Sequence, residues 1–548
     1  MNRNVDDHFA KTPTPHFPRS RFDMGIHKRL QTQGHGRLYP FFARVVYPGD
    51  TWKMDMSTFV RADTSLRVPL DDIYLDTYFF FVPFRILDPN FAKVLGEVEP
   101  YDDTEYSIPQ TRFANDDNVS INFLLAYLGY STAETTLVQS SGQPDYFLLK
   151  YDDEVTSYPL SAYYKIYNDW FRDENVDPSI PYEDIYNEDF EDLDEIFEDM
   201  DCLRVNRYHD YFSSALISPQ KGPAVTIPLG TSAPVGYIAS EVTGAGSKQI
   251  ITSDSAVADS FQDLGVLNSS YTADPMVADL SQAAGTINQL RLSFAIQSLY
   301  ERRGRFGTRY IETIRGQWGI EVPDSFFQRP EYLGGSRVTL NNVPVLSTEN
   351  SSQLGQMSGN SATLSGGNSW TKTFIEYGII LGVSCTRIKH SYTQGKRKEL
   401  FGLKTGLDLY NPVFANIGYT AIKQSEIFNK GTGTYGNPDV VFGYQEAWAD
   451  LRCDVDSFAG LFGMFSNNTE LKNKWHYGDY YASAPTFSAD WLKEDYTNVS
   501  RTLTGQLING AGSTTIEGHQ FMLGYYYHPV VTRILPSHSI PVELIGRL

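Results

Sequence analysis

Apolar residues in this chain follow a strand-like period at both ends, while long polar excursions and one strong helical pattern occupy the middle. Trp52, Met54 and Met56 alternate with Lys53, Asp55 and Ser57, which predicts a strand with one buried and one wet face. Before it, the apolar-rich Leu38 to Val46 leads into Tyr47-Pro48-Gly49-Asp50, a turn sequence, so the pair reads as a hairpin. The stretch Asp71 to Arg85 follows. From Tyr78 to Val82 it is apolar on both faces, so it needs cover on both sides and belongs deep in the fold; Pro83 closes it. Strand-like runs resume at Thr373 to Arg387, Val440 to Tyr444 and Phe521 to Leu535. A sheet assembled from both ends of the chain predicts one β-sandwich with large insertions, and no internal repeat is present.

Helical patterning is confined to two places. Tyr163 to Arg172 is aromatic and helix-like. Thr286 to Arg302 carries two apolar lines, Ile287-Leu290-Phe294 and Leu292-Ile296-Leu299, with Thr286 as cap and Gly304 as stop. Two lines predict wide burial, against the sheet or against another subunit. Between the patterned segments, 173–201 holds fourteen carboxylates and no Lys or Arg. It reads as a self-repelling loop or exposed helix, or as a site for calcium or a basic partner, although it lacks an EF-hand loop. Segments 230–285 and 341–368 are rich in Ser and Gly and read as surface loops. Residues 1–37 are polar and mildly basic, kept extended by Pro13, Pro15 and Pro18. They form an N-terminal arm that needs a neighbour to order it, and read as a contact for nucleic acid or as a solvated or subunit-clasping tail. The remainder, 38–548, is expected to be a single domain.

The composition narrows the chemistry. With 548 residues, 36 Tyr and 33 Phe, the chain leans all-β. Its net charge of -21 repels free nucleic acid, so any DNA contact must come from a local basic patch or a basic partner. Cys202, Cys385 and Cys453 are too far apart to form a disulfide framework or a metal-ligand pair, which suits a reducing cytoplasm. The N-terminus has no secretory h-region, and no apolar run approaches the ~20 residues a membrane span requires. Gly431 to Gly436 matches G-x-G-x-x-G but runs into Asn437-Pro438 and a strand, so it is a turn and no dinucleotide site. Metal-ligand spacings, nucleophile elbows and P-loops are absent, and no cofactor is expected. Two basic clusters stand out: Arg302, Arg303, Arg305 and Arg309, then Arg387, Lys389, Lys396, Arg397 and Lys398 with Tyr392 between them. They suit phosphates with stacked bases, or carboxylates across a subunit interface.

Several of these residues fall into a recognisable order. Arg19-Ser20-Arg21-Phe22-Asp23, Gly36-Arg37-Leu38-Tyr39-Pro40, Pro48-Gly49-Asp50-Thr51 and Tyr74-Leu75-Asp76-Thr77-Tyr78-Phe79-Phe80-Phe81-Val82-Pro83 lead. Asp169-Trp170-Phe171-Arg172-Asp173, His209-Asp210-Tyr211-Phe212, Gln220-Lys221-Gly222-Pro223-Ala224-Val225 and Gly307-Thr308-Arg309-Tyr310 follow. Gln328 to Gly335 and Val441 to Glu446 complete the series. In these motifs the chain resembles the major capsid proteins of small icosahedral single-stranded DNA phages, the Microviridae, and within them the gokushovirus type. The departures are the acidic block 173–201 and the tail 540–548.

That resemblance implies a mainly β fold: a single eight-stranded antiparallel jelly roll with large loop and helix insertions. It implies a T=1 shell of many identical copies, assembled in a bacterial cytoplasm around a circular single-stranded DNA genome. A small basic DNA-binding packaging protein and a host cell-surface receptor are the implied partners, with no membrane insertion. A variable protrusion at the threefold axis is implied for 230–285. Arg19 and Arg21, with the two basic clusters, are then candidates for interior or interface roles. The rival expectation is a β-sandwich carbohydrate-active hydrolase, which would need two carboxylates ~5–9.5 Å apart across a cleft.

Overall fold

The computed structural model describes residues 18–62, 69–97, 106–112, 123–130, 135–138, 146–149, 154–181, 202–223, 225, 235–237, 276–278, 287–340, 344–346, 357–360, 362–429, 440–462, 475–495, 497–500 and 519–538. Nine strands matter here: β1 (Ser20–Asp23), β2 (His27–Gln33), β3 (Tyr39–Val46), β4 (Thr51–Ala62), β5 (Ile73–Pro83), β6 (Glu331–Leu340), β7 (Ala362–Thr373), β8 (Gly378–Ile388) and β9 (Phe521–Arg533). They form two antiparallel sheets. In the first, β9 lies beside β4, and β4 beside β7, while β1 and β2 in succession occupy the far edge of β9. The second runs β6-β5-β8-β3.

Both ends of the chain therefore meet in one sheet, as the patterning predicts. Phe22 pairs with Val531 and Leu30 with Gly524, so residues 20–33 of the extended arm find their ordering neighbour in the chain's own C-terminal strand. Alternation holds in β4, where Trp52, Met54, Met56 and Val60 are buried. The turn at 47–50 differs from the expected hairpin. It carries β3 into one sheet and β4 into the other, so it is a corner. The pinning contacts explain this. Gly49 takes φ 89°, its N–H donates to the Phe374 carbonyl, and the Phe374 N–H donates back to the Asp50 carbonyl. Arg533 donates to the buried Asp50 carboxylate at 2.6–3.0 Å, tying the corner to the end of β9. Strand also reaches into the Ser/Gly-rich segment 341–368. Ala362 to Asn368 pairs with β4 through a bulge at Gly367, whose φ of 117° only glycine takes readily. Cross-strand pairing there overrides weak local propensity.

The first core lies between the sheets. Phe41 stacks on Tyr525 at 4.3 Å, Phe81 meets Phe374 at 4.6 Å and Phe79 meets Trp370 at 5.7 Å. A second core covers the opposite face of β5 and β8. There Phe80, Val82, Leu381 and Val383 pack with Leu124, Leu125 and helix α1 (Tyr158–Ile166). Tyr78 to Val82 thus has its predicted cover on both faces, one from the opposite sheet and one from an insertion. Helix α1 is tied down by Tyr163, whose hydroxyl donates to the Leu38 carbonyl at 2.8 Å and accepts from the Leu203 N–H at 2.9 Å. The aromatic run then widens into a π-helical turn, Tyr167–Phe171. A third core, including Phe212, Tyr392, Ile422, Phe442 and Trp491, is built mainly by the insertion between β8 and β9.

The chain divides into two compact units, the smaller comprising Gln220–Thr308 and Gly316–Trp318. Within it, helix α2 (Ile287–Arg305) extends past Gly304, the expected stop. Gly304 is its buried residue, and Ile287, Leu292 and Phe294 are exposed, so neither apolar line is covered as expected. In the segment 230–285 the described residues are Val235–Tyr237 paired with Met276–Ala278. Residues 1–17, 182–201 and the G-x-G-x-x-G stretch lie outside the described residues.

Candidate nucleic-acid interface and buried charge network

Antiparallel register gathers one group of charges. Asp76 sits in β5 opposite Arg337 of β6 and Cys385 of β8, and Arg387 sits opposite Tyr74. Both arginines converge on the Asp76 carboxylate, Arg337 Nε at 2.7 Å and Arg387 through Nη2. Tyr208 donates its O–H to the same carboxylate at 2.7 Å. Burial works to raise the Asp76 pKa, but Arg337, Arg387 and Tyr208 more than offset it and hold the carboxyl below its usual range. The guanidinium carbons of Arg337 and Arg387 lie 4.2 and 4.3 Å from the Tyr208 ring centroid. Tyr74 packs edge-on to Tyr208 at 6.1 Å, and Lys389 Nζ lies 6.0 Å from the Tyr74 ring. Two cations thus meet one carboxylate, and a third, Lys389, stands over one of the two tyrosines beside it. Arg337 is half exposed and Lys389 exposed, whereas Arg387 is nearly sealed by its own chain.

The other candidates are placed differently. Arg309 is drawn inward: it pairs with Glu174 and Glu312, each at 3.3 Å, and donates to the Asn168 carbonyl at 2.9 Å. Arg397 pairs with Asp454 at 3.1 Å and Lys398 with Asp450 at 3.7 Å, both near the surface, where such pairs contribute ~0–1 kcal/mol. Lys396 lies over the Phe401 ring at 5.9 Å. Arg19 and Arg21 are exposed on or beside β1. Arg302, Arg303 and Arg305 are exposed at the end of α2, in the smaller unit. The second expected cluster divides by partner: Arg387 meets Asp76, whereas Arg397 and Lys398 meet Asp454 and Asp450. Lys389 and Arg387 join Arg337, Tyr208 and Tyr74, which sequence spacing gave no reason to group, because only strand register makes positions 76, 337 and 387 neighbours.

A second polar group is sealed inside. His390 Nδ1 contacts Asp479 at 2.8 Å and its Nε2 contacts Glu494 at 3.2 Å. His35 Nε2 also reaches Glu494, at 3.0 Å. Asp479 further accepts from Arg207 at 2.5 Å, Tyr481 at 2.7 Å and Asn498 at 2.7 Å. Burial and Arg207 disfavour a charged His390, but Asp479 and Glu494 win and lift it from 6.5 to about 9. Glu494 is the mirror case: burial would raise it, yet His390 and His35 bring it down from 4.5 to about 2. The raised histidine stabilises fully below pH 6.5 and loses that contribution as pH rises towards about 9. The depressed Glu494 stabilises fully above pH 4.5 and loses its contribution as pH falls towards about 2. Denaturant midpoints of the subunit are therefore expected to be highest between pH 4.5 and 6.5 and to fall towards pH 9. A His390→Gln variant, compared by chemical denaturation across the same range, should lose the alkaline part of that decline; an unchanged slope would remove His390 as its source.

Asp479 and Glu494 are closed to solvent and held by His390, Arg207 and His35, so this pair lines no open cleft for a sugar. Among the described residues the chain builds a double-sheet scaffold, a sealed charge network and a basic-aromatic surface, which suit a structural subunit. The family described as capsid protein (F protein) matches residues 10–542, and the chain belongs to it. Capsid protein VP1 of Spiroplasma virus 4 is 31% identical over 99% of this chain and 98% of its own length. Capsid protein VP1 of Bdellovibrio phage phiMH2K is 32% identical over 92% of each chain. Capsid protein VP1 of Chlamydia phage 1 is 28% identical over 98% of each. The protein is a phage major capsid protein and a component of the virion; nothing found supports the hydrolase alternative.

Proposed function

We propose that this subunit folds as a single eight-stranded jelly roll and assembles into a T=1 shell around a circular single-stranded DNA genome, with the Arg337–Lys389–Tyr208–Tyr74 surface meeting the DNA. Counting β1 and β2 as one position, the strand positions in chain order distribute as 1-8-3-6 in one sheet and 2-7-4-5 in the other, which supports the jelly roll. The observation that carries the DNA contact is a local cation excess beside two tyrosines on a chain of net charge -21. Cations neutralise phosphates and aromatic faces stack bases without sequence preference. The acid background favours a small basic packaging protein as further partner, with assembly in the bacterial cytoplasm. The segment 230–285 is the proposed surface protrusion towards a host receptor. Arg19, Arg21 and the arginines of α2 remain interface or interior candidates.

The test is a pair of variants in particles made in the host. Arg337→Gln with Lys389→Gln leaves the buried Asp76–Arg387 pair intact, so shells should form in normal yield while DNA per particle drops several-fold. Arg397→Glu with Lys398→Glu, whose cations already have carboxylate partners, should change DNA content less. Normal DNA content in the first variant would remove the contact from this surface.

A further inference from the structure

The segment between the short helix Lys398–Phe401 and the strand Tyr419–Lys423 puts large apolar side chains outward. Leu400, Phe401, Leu407, Leu409, Val413 and Ile417 are all exposed, Leu407 by 73% and Val413 by 84%. Lys396 lies over the Phe401 ring, yet all six residues stay more than half exposed. The segment is nevertheless held in shape. Asp408 accepts the N–H groups of Lys404 at 3.0 Å and Thr405 at 2.6 Å, closing the chain into a tight turn. Tyr410 packs edge-on against Trp448 at 5.4 Å, and Trp448 donates its indole N–H to the Phe414 carbonyl at 3.0 Å. One indole therefore anchors the second half of the segment at two points. A preformed apolar face pays little ordering entropy on binding.

We infer that this face, Leu400 to Ile417, is a contact between copies of this chain in the shell. The inference rests on the assembly just proposed and adds which surface carries it. Area supports it. At roughly 200 Å² per large side chain, the exposed parts of these six residues come to on the order of 800 Å², the share each partner contributes to a standard stable interface. Single exposed apolar residues are ordinary, but a patch of this size is not. Charge supports a second copy as occupant. Lys396 and Lys404 are exposed beside the face, and a chain of net charge -21 offers them carboxylates. A closed shell repeats the contact once per copy, so a modest area suffices.

The experiment compares wild type with Leu407→Asp/Val413→Asp, and with Ile375→Asp as a control at a residue 86% exposed outside the segment. Thermal melts read folding; sedimentation and electron microscopy read assembly. The expected result is an unchanged melt for all three, normal particles from wild type and control, and at least a tenfold loss of particles from the double variant. Leu407→Ser/Val413→Ser, milder in charge, should give an intermediate loss. Normal assembly of the folded double variant would overturn the inference, as would normal shells that lack a second packaged protein, since that assigns the face to another partner. Were wild type itself to form no shells, the assembly reading would fail separately. The inference would then be supported only by concentration-dependent self-association of wild type that the double variant lacks, and overturned by its absence.

Discussion

A Phe80→Asp subunit should not accumulate in soluble form, and no particles should be recovered from it. Phe80 is 1% exposed at the centre of β5, with its ring 5.2 Å from Trp170, 5.7 Å from Tyr332 and 6.2 Å from Phe171. Deleting such a ring costs ~3–5 kcal/mol from lost burial and the cavity left behind. A carboxylate buried among these rings adds a desolvation cost. Together these take up most of the ~5–15 kcal/mol that holds a typical domain folded. The measurement is the soluble fraction and particle yield beside Phe80→Leu, which keeps the apolar volume and should assemble. Soluble, assembling Phe80→Asp would mean that α1 and the π-helical turn do not cover this face in solution.

Asp479→Ala should destabilise nearly as strongly, by a different route. Its carboxylate is the counter-charge for Arg207, which is sealed at 6% side-chain exposure and stacked 4.8 Å over Trp491. Removing it leaves Arg207 and His390 facing each other at 3.3 Å without it. Breaking a buried pair from one side costs ~3–5 kcal/mol, mostly from the stranded charge. A second substitution tests that cause. Arg207→Met in the Asp479→Ala background removes the stranded cation, so the double variant should recover part of the loss in denaturant midpoint. If the double variant is worse than the single one, the penalty comes from lost packing and hydrogen bonds, not from uncompensated charge.

The residues that were legible in sequence are those whose role follows from period or local sterics. Trp52, Met54 and Met56 announced one face of β4, Tyr78 to Val82 announced two covered faces, and the ordered motifs from Arg19 to Glu446 pointed to the capsid family. The corner at Tyr47 to Asp50 has the local chemistry of a hairpin turn; which sheet each flanking strand joins is decided by partners at Phe374 and Arg533, hundreds of positions away. The Ser/Gly-rich Ala362 to Asn368 has the composition of a loop, and its strand conformation comes from pairing with β4 rather than from its own propensity. Helix α2 shows its two apolar lines but not what covers them; in the structure Ile287, Leu292, Phe294 and Leu299 are exposed while Leu290 and Ile296 are half-buried.

Sequence alone therefore determined the β class, the joining of both chain ends, the doubly buried strand and, through its motifs, the family. These depend on side-chain period and on residue types at fixed local spacing, which a linear pattern records. Only tertiary structure decided which charges share a site. Asp76, Arg337 and Arg387 meet through strand register, and His35, His390, Asp479 and Glu494 through the folding back of an insertion. Hydrogen bonds and ion pairs act over ångströms in space, and a chain of 548 residues can bring any distant pair within that reach.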